Sequence, residues 1–338
     1  MTRRRILLGT ITSVITLVLC LGIAEGALRL LRYQYTPLRI QVVKQYSDWR
    51  HYHAFEDKQF VYDPWLIWRP RPGGDFNSQG YRGPELSATK PAGTYRVFAI
   101  ADSNTLGWPG KEGANWPMFL SDLLNQGGNH FSVINAAAYG YSSFQGLRRF
   151  QESLAFQPDV AIISFGCNDA MRVTVSDAEF ASRKIRKLDL DTALLRMHVG
   201  QLVLAIADKF ASKGKEILVP RVSLGEYKHN LEEMIRLANE RQIKIVLLTR
   251  PFTGSSPSPN WWKNFAPQYN AATFEVGRQR GVPVIDIHGY FDDKKEYFVD
   301  EAHLTQDGLR EMARVIYEEI KPLVSAAARS VRTSGERQ

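Results

Sequence analysis

What most constrains this chain is an alternation that begins at residue 95. Short runs rich in Val and Ile, at 96–101, 132–135, 160–165, 243–249 and 282–287, are separated by helix-like stretches. Those stretches lie at 116–125, 144–155, within 177–211, at 224–241 and 269–280, with a last one at 306–326. Several of the short runs lack clean apolar–polar alternation, as strands covered on both faces do. Strands separated by helices imply a parallel sheet, so the expected fold is α/β, a three-layer α/β/α sandwich. In such sheets ligands bind beyond the carboxyl ends of the strands.

The 338 residues are 44% hydrophobic and 11% aromatic, enough for one large domain or two small ones. The formal net charge is +8, and much of it sits at the two ends, in Arg3–Arg5, Arg29, Arg32 and the stretch 329–337. There is no zinc-finger spacing and no basic stripe interleaved with aromatics, which argues against nucleic acid as a partner. Of the two cysteines, Cys20 lies inside an apolar run, so no disulfide with Cys167 is expected and the redox compartment stays open. His51 and His53 form an i, i+2 pair without partner ligands, so no metal is expected there, and no cofactor elsewhere.

The N-terminus reads as a membrane anchor. After Arg3–Arg5 comes an uncharged stretch from Ile6 to Ala24. Its length of about 19 residues, at ~1.5 Å each, spans roughly 28 Å, close to a bilayer's hydrocarbon core. Cleavage after a Gly22-x-Ala24 site is the alternative, but the run is long for a signal peptide. Leu19 before Cys20 argues against lipidation, since that position wants a small residue. The leading arginines favour a cytoplasmic N-terminus and an extracytoplasmic, periplasmic body, although Arg29 and Arg32 on the far flank weaken the asymmetry. The expected layout is a basic tip and transmembrane anchor over 1–32, then a stem and a Pro/Gly/Trp-rich extension over 33–92. The α/β domain follows over 93–326, and a disordered tail over 327–338.

Four polar blocks follow the strands. Asp102-Ser103-Asn104-Thr105 ends the first strand, Gly140 follows Asn135 by five residues, Gly166-Cys167-Asn168-Asp169 ends the third, and Asp300-x-x-His303 lies past the last. Taken singly, each has an ordinary explanation. Asp, Ser and Asn form turns, glycine serves positive φ or close packing, and a surface Asp-x-x-His is common. Together they converge on one sheet edge. A serine hydroxyl needs a base to become a nucleophile. His303 held in one tautomer by Asp300 supplies it. An Asn168 amide aimed at a developing oxyanion is worth roughly 3 kcal/mol.

In this order, the Asp-Ser, Asn-x4-Gly, Gly-x-Asn-Asp and Asp-x-x-His blocks resemble those of the SGNH (GDSL-type) hydrolase family over residues 93–325. The resemblance implies Ser103 as nucleophile and Asp300 and His303 as orienter and base. It also implies an oxyanion hole made of the Ser103 N–H, Gly140 and Asn168. One residue departs from the pattern: Ala101 stands where the family has the glycine of Gly-Asp-Ser.

The stretch 63–85, with the anchor before it, resembles the N-terminal region of membrane-anchored bacterial members. That resemblance implies an O-acyl ester of carbohydrate or exported polysaccharide, above all O-acetyl, as substrate. The bilayer is the implied partner of the N-terminal helix. Trp108, Trp261 and Trp262 are candidates for stacking on sugar rings, with plain packing as the competing explanation. Arg221 is read as structural, with contact to an anionic substrate as the alternative. Two alternatives to hydrolysis stay open: acyl transfer by the same residues, and a catalytically silent glycan-binding or assembly factor.

Overall fold

The computed structural model describes residues 3–34, 58–107, 114–126, 130–173, 175–182, 197–211, 219–253 and 261–335. Strands run in the order β1 (Phe60–Asp63), β2 (Ile67–Pro70), β3 (Tyr95–Ala101), β4 (Phe131–Asn135), β5 (Val160–Ser164), β6 (Arg172–Val173), β7 (Val219–Pro220), β8 (Lys244–Leu248) and β9 (Val284–Ile285). Five of them make one sheet in the order β4-β3-β5-β8-β9, every pair parallel. This is a flavodoxin-like order, and the chain reverses direction across the sheet at β3.

The sheet is covered on both faces, which explains why β3 and β5 are buried at every position. Alternate side chains point to opposite layers. Phe98, Ile100, Ala161, Ile163, Ile245 and Leu247 pack with Phe150 of the helix Ser143–Ser153 and with the helices Leu224–Asn239 and Trp261–Arg280. On the other face, Val97, Ala99, Val160, Ile162, Val246 and Leu248 meet the helices Trp116–Asn125 and Gln306–Gly335. The result is the expected three-layer α/β/α sandwich with a parallel sheet. The Pro/Gly/Trp-rich extension packs onto it. β1 and β2 form an antiparallel hairpin, and Phe60, Trp68 and Tyr81 enter the first core with less than 2% exposure.

By contact density the chain divides into two compact units, residues 1–48 with 182–217 and residues 49–181 with 218–338. The segment 182–217, inside the range expected for the catalytic domain, thus groups with the anchor. In the first unit the helix Arg3–Leu30 is long and apolar enough, over Leu8–Leu30, to cross a membrane, and none of its apolar window is buried. Two of its hydroxyls bond within the helix: Thr12 donates to the Leu8 carbonyl and Ser13 to that of Gly9, each at 2.9 Å. Glu25 accepts the Val199 N–H at 2.8 Å and so caps the helix His198–Ala211 of the same unit.

Two helices run past their expected limits. The helix expected over 269–280 starts at Trp261 and carries Pro267 inside it. The last helix continues through Pro322 to Gly335, past the start of the tail expected to be disordered. Its Ser-Ala-Ala-Ala-Arg-Ser sequence favours helix, and it ends at glycine.

Candidate active site

Ser103 is presented by a tight turn at the carboxyl end of β3, where the sheet order reverses. Asp102 has extended backbone, and its Oδ1 accepts the Asn104 N–H at 3.0 Å, capping the single turn Ser103–Leu106. Gly107 closes that turn at φ 98°, where a Cβ would lie 2.2 Å from the Ala114 carbonyl oxygen, so only glycine fits. Ala101, just before the turn, is buried with Phe76, Leu106 and Ala137 in a small apolar cluster. Its methyl therefore packs under the N-terminal extension.

The loop carrying Asp300 and His303 comes to the same edge. It is folded as a short antiparallel bridge between Phe298 and Leu304, with the Val299 N–H donating to the His303 carbonyl at 3.0 Å. Two bonds tie it to neighbouring elements: the Leu304 N–H donates to Asn104 Oδ1 at 3.1 Å, and the Thr253 N–H to the Glu301 carbonyl at 2.8 Å.

His303 Nε2 lies 2.9 Å from Ser103 Oγ, and its Nδ1 lies 2.8 Å from Asp300 Oδ2. With the ring hydrogen on Nδ1, that N–H donates to the carboxylate and Nε2 is left to accept from the serine hydroxyl. Asp300 Oδ1 also accepts the backbone N–H groups of Ala302 and His303, each at 2.8 Å. Partial burial raises the Asp300 carboxyl, but the His303 ring and these N–H donors outweigh it and hold the group at about 2. That places Asp300 well on the carboxylate side near neutral pH.

Gly140 sits at φ 67°, in the left-handed region that glycine tolerates. Its carbonyl accepts from Arg221 Nη1 at 2.7 Å. Neither the Gly140 nor the Ser103 backbone N–H donates to a partner among the described residues. Asn168 Nδ2 donates to the Tyr141 carbonyl at 3.0 Å and stands 3.4 Å from Asp102 Oδ2, a long contact that leaves its second hydrogen loosely engaged. The neighbouring Cys167 thiol is pushed up to about 12 by burial, so it offers no thiolate to compete with the serine.

Arg221 is buried and bonded to Asp177 at 2.8 Å and to Gln145 at 3.2 Å, besides Gly140. It supports the Gly140 loop. Trp108 and the His51–His53 pair lie outside the described residues. Trp261 and Trp262 open the helix Trp261–Arg280, and their side chains also lie outside the described residues. Among the described residues no group of three or more His, Cys, Asp or Glu could hold a metal ion.

Two residues at this edge escaped the reading of the sequence. Asn104 links the serine turn to the histidine loop, and Arg250 pairs with Asp102 at 2.8 Å. The one signal for Arg250 is a charged residue at the very end of an apolar strand, in Leu248-Thr249-Arg250.

The model of the GDSL-like Lipase/Acylhydrolase family matches residues 102–310. An 88-residue stretch is 32% identical to an arylesterase of Vibrio mimicus, covering 26% of this chain and 44% of that protein. The chain thus matches less than half the length of that curated relative. Among solved structures, the lipase/acylhydrolase from Enterococcus faecalis is 21% identical, with a TM-score of 0.48 over 68% of this chain and 96% of that one. A mutant of an acetyl-xylooligosaccharide esterase from Geobacillus Stearmophilus is 17% identical, with a TM-score of 0.45 over 67% of this chain and 94% of that one. With more than half of its length matched by the family model, the chain belongs to the GDSL-like lipase/acylhydrolase family.

Proposed function

We propose that the protein is a serine esterase that hydrolyses O-acyl esters of carbohydrate, above all O-acetyl esters. The observation that carries this reading is the unbroken hydrogen-bonded path from Ser103 Oγ through His303 to Asp300. Ser103 Oγ attacks the ester carbonyl while His303 Nε2 takes the hydroxyl proton. The tetrahedral oxyanion is received by the Ser103 and Gly140 N–H groups and by Asn168 Nδ2. His303 returns its proton to the departing sugar alkoxide, leaving the acyl group on Ser103. Water then attacks the acyl-enzyme, with His303 again as base, and releases the carboxylic acid and free serine.

Ester cleavage is in keeping with the family and with the partial arylesterase relative. The carbohydrate part rests on the resemblance of 63–85 to membrane-anchored bacterial members. The helix Arg3–Leu30 serves as an uncleaved anchor in the bilayer, with the catalytic body on the extracytoplasmic side.

Acetate release from acetylated glycans, measured with and without an acceptor sugar, tests the reading. Release that is independent of acceptor and absent in Ser103→Ala is expected. Acetyl groups appearing on the acceptor would mean transfer. Cleavage of p-nitrophenyl acetate without release from any glycan would remove the carbohydrate part.

A further inference from the structure

Arg250 is a fully buried cation that the chemistry proposed above does not use. It stands just past the carboxyl end of β8, and the Asn270 side chain fixes its backbone: Oδ1 accepts the Arg250 N–H at 2.8 Å and Nδ2 donates to the carbonyl at 3.0 Å. The guanidinium, with its side chain 3% exposed, donates from Nε to Asp102 Oδ2 at 2.8 Å and to Oδ1 at 3.1 Å. From Nη1 it donates to the carbonyls of Ala302 at 2.7 Å and Pro251 at 2.9 Å. Asp102 immediately precedes Ser103, and Ala302 immediately precedes His303. One planar group therefore bridges the backbone neighbours of both residues.

A buried ion pair is by itself weak evidence of stabilisation, because desolvating both ions costs about what their attraction returns. The position of this pair suggests what else it does. Asp102 Oδ2 is the atom 3.4 Å from Asn168 Nδ2. A carboxylate without its cation is a stronger acceptor. It would draw that amide hydrogen inward and leave a bare negative charge beside the place where the oxyanion forms. Burial opposes the charge on Arg250, and Asp102, with Asp300 further off, outweighs it and holds the guanidinium above its ordinary value.

We infer that Arg250 is a positioning residue: by neutralising Asp102 and bridging it to Ala302, it keeps the Asn168 amide available to the oxyanion and holds the serine turn in register with the histidine loop. The inference rests on the hydrolase reading for its effect on rate, but its geometric part stands apart from it.

The test compares full-length wild type, Arg250→Met, Asp102→Asn and the double variant in p-nitrophenyl acetate hydrolysis, with a crystal structure of Arg250→Met. Asparagine also caps helices, so Asp102→Asn keeps the serine turn. Arg250→Met should lose kcat by about 10²-fold with KM changed less than about 3-fold, and its Asn168 Nδ2 should close to about 2.9 Å from Asp102. The double variant, with both charges gone, should regain at least about 10-fold over Arg250→Met. A purely packing role predicts no such rescue.

The inference is overturned by a kcat for Arg250→Met within about 3-fold of wild type, by a double variant no better than the single one, or by an unmoved Asn168. If Arg250→Met does not fold, the double variant decides: a kcat within about 10-fold of wild type supports the inference, and a larger loss in a folded protein contradicts it. A wild type without esterase activity sinks the hydrolase reading, and the position of Asn168 in Arg250→Met then decides the inference alone.

Discussion

His303 Nε2 meets Ser103 Oγ at 2.9 Å although 200 residues separate them in the chain. The meeting follows from the fold. β3 delivers the serine at the reversal of strand order, and the loop after β9 returns across the same edge, where the Leu304 N–H is held by Asn104 Oδ1. Both partners of the hydrogen bond are thus fixed by neighbours in sequence that also bond to each other.

The base should be indispensable to turnover and dispensable to folding. His303→Ala is expected to lower kcat on p-nitrophenyl acetate by at least about 10⁴-fold. Its Tm should stay within a few degrees of wild type, since the His303 ring pairs with Asp300, which is half-exposed and stays solvated when the ring is removed. Steady-state kinetics and thermal unfolding of the same preparation check both halves.

Asn168 should act in the transition state alone. Asn168→Ala is expected to lower kcat by about 10²–10³-fold while KM changes little, because the amide meets an oxygen that is fully charged only in the tetrahedral state. A rise in KM at unchanged kcat would instead assign the residue to ground-state binding.

Ala101 should prove structural. Its methyl is buried with Phe76, Leu106 and Ala137. Restoring the family glycine by Ala101→Gly removes that methyl and loosens a strand end, so a loss of about 1–2 kcal/mol in stability is expected. The kcat should stay within about 3-fold of wild type, since no reacting group is touched. Denaturant unfolding and kinetics on the variant check this.

Asp169 sets a pH dependence of stability. Burial pushes its carboxyl up to about 6, against the hydrogen bonds from the Ser143 and Gly166 N–H groups. Its unfolded value is near 3.9. Below both values the group is protonated in each state and contributes no difference. As pH rises from about 4 to about 6, the unfolded chain loses the proton more readily, so this group makes the fold less stable. Relative to Asp169→Asn, wild type should therefore lose Tm over that window and hold a constant offset above it. A difference in Tm that does not vary with pH would contradict the shift.

Much of this is legible in the sequence, for physical reasons. β3, β5 and β8 announce themselves as apolar runs because both faces are buried, and the polar residues that stop them lie at the sheet edge where ligands bind. Arg250 was not legible, because its partner Asp102 lies 148 residues away and nothing local indicates the pairing. Two helix limits differ from those expected: the helix expected from 269 begins at Trp261, ahead of Pro267, and the one expected to end at 326 continues to Gly335, because residues that individually favour neither end still extend a helix already formed. The grouping of 182–217 with the anchor depends on tertiary contacts, which local composition does not encode.

The most direct test of the central claim is covalent labelling by a fluorophosphonate probe, which reports an activated serine without any assumption about substrate. The account predicts stoichiometric labelling of wild type at Ser103, none in Ser103→Ala, and labelling slowed by at least about 10²-fold in His303→Ala. A folded wild type that does not label, or that labels equally after Ser103→Ala, would contradict it.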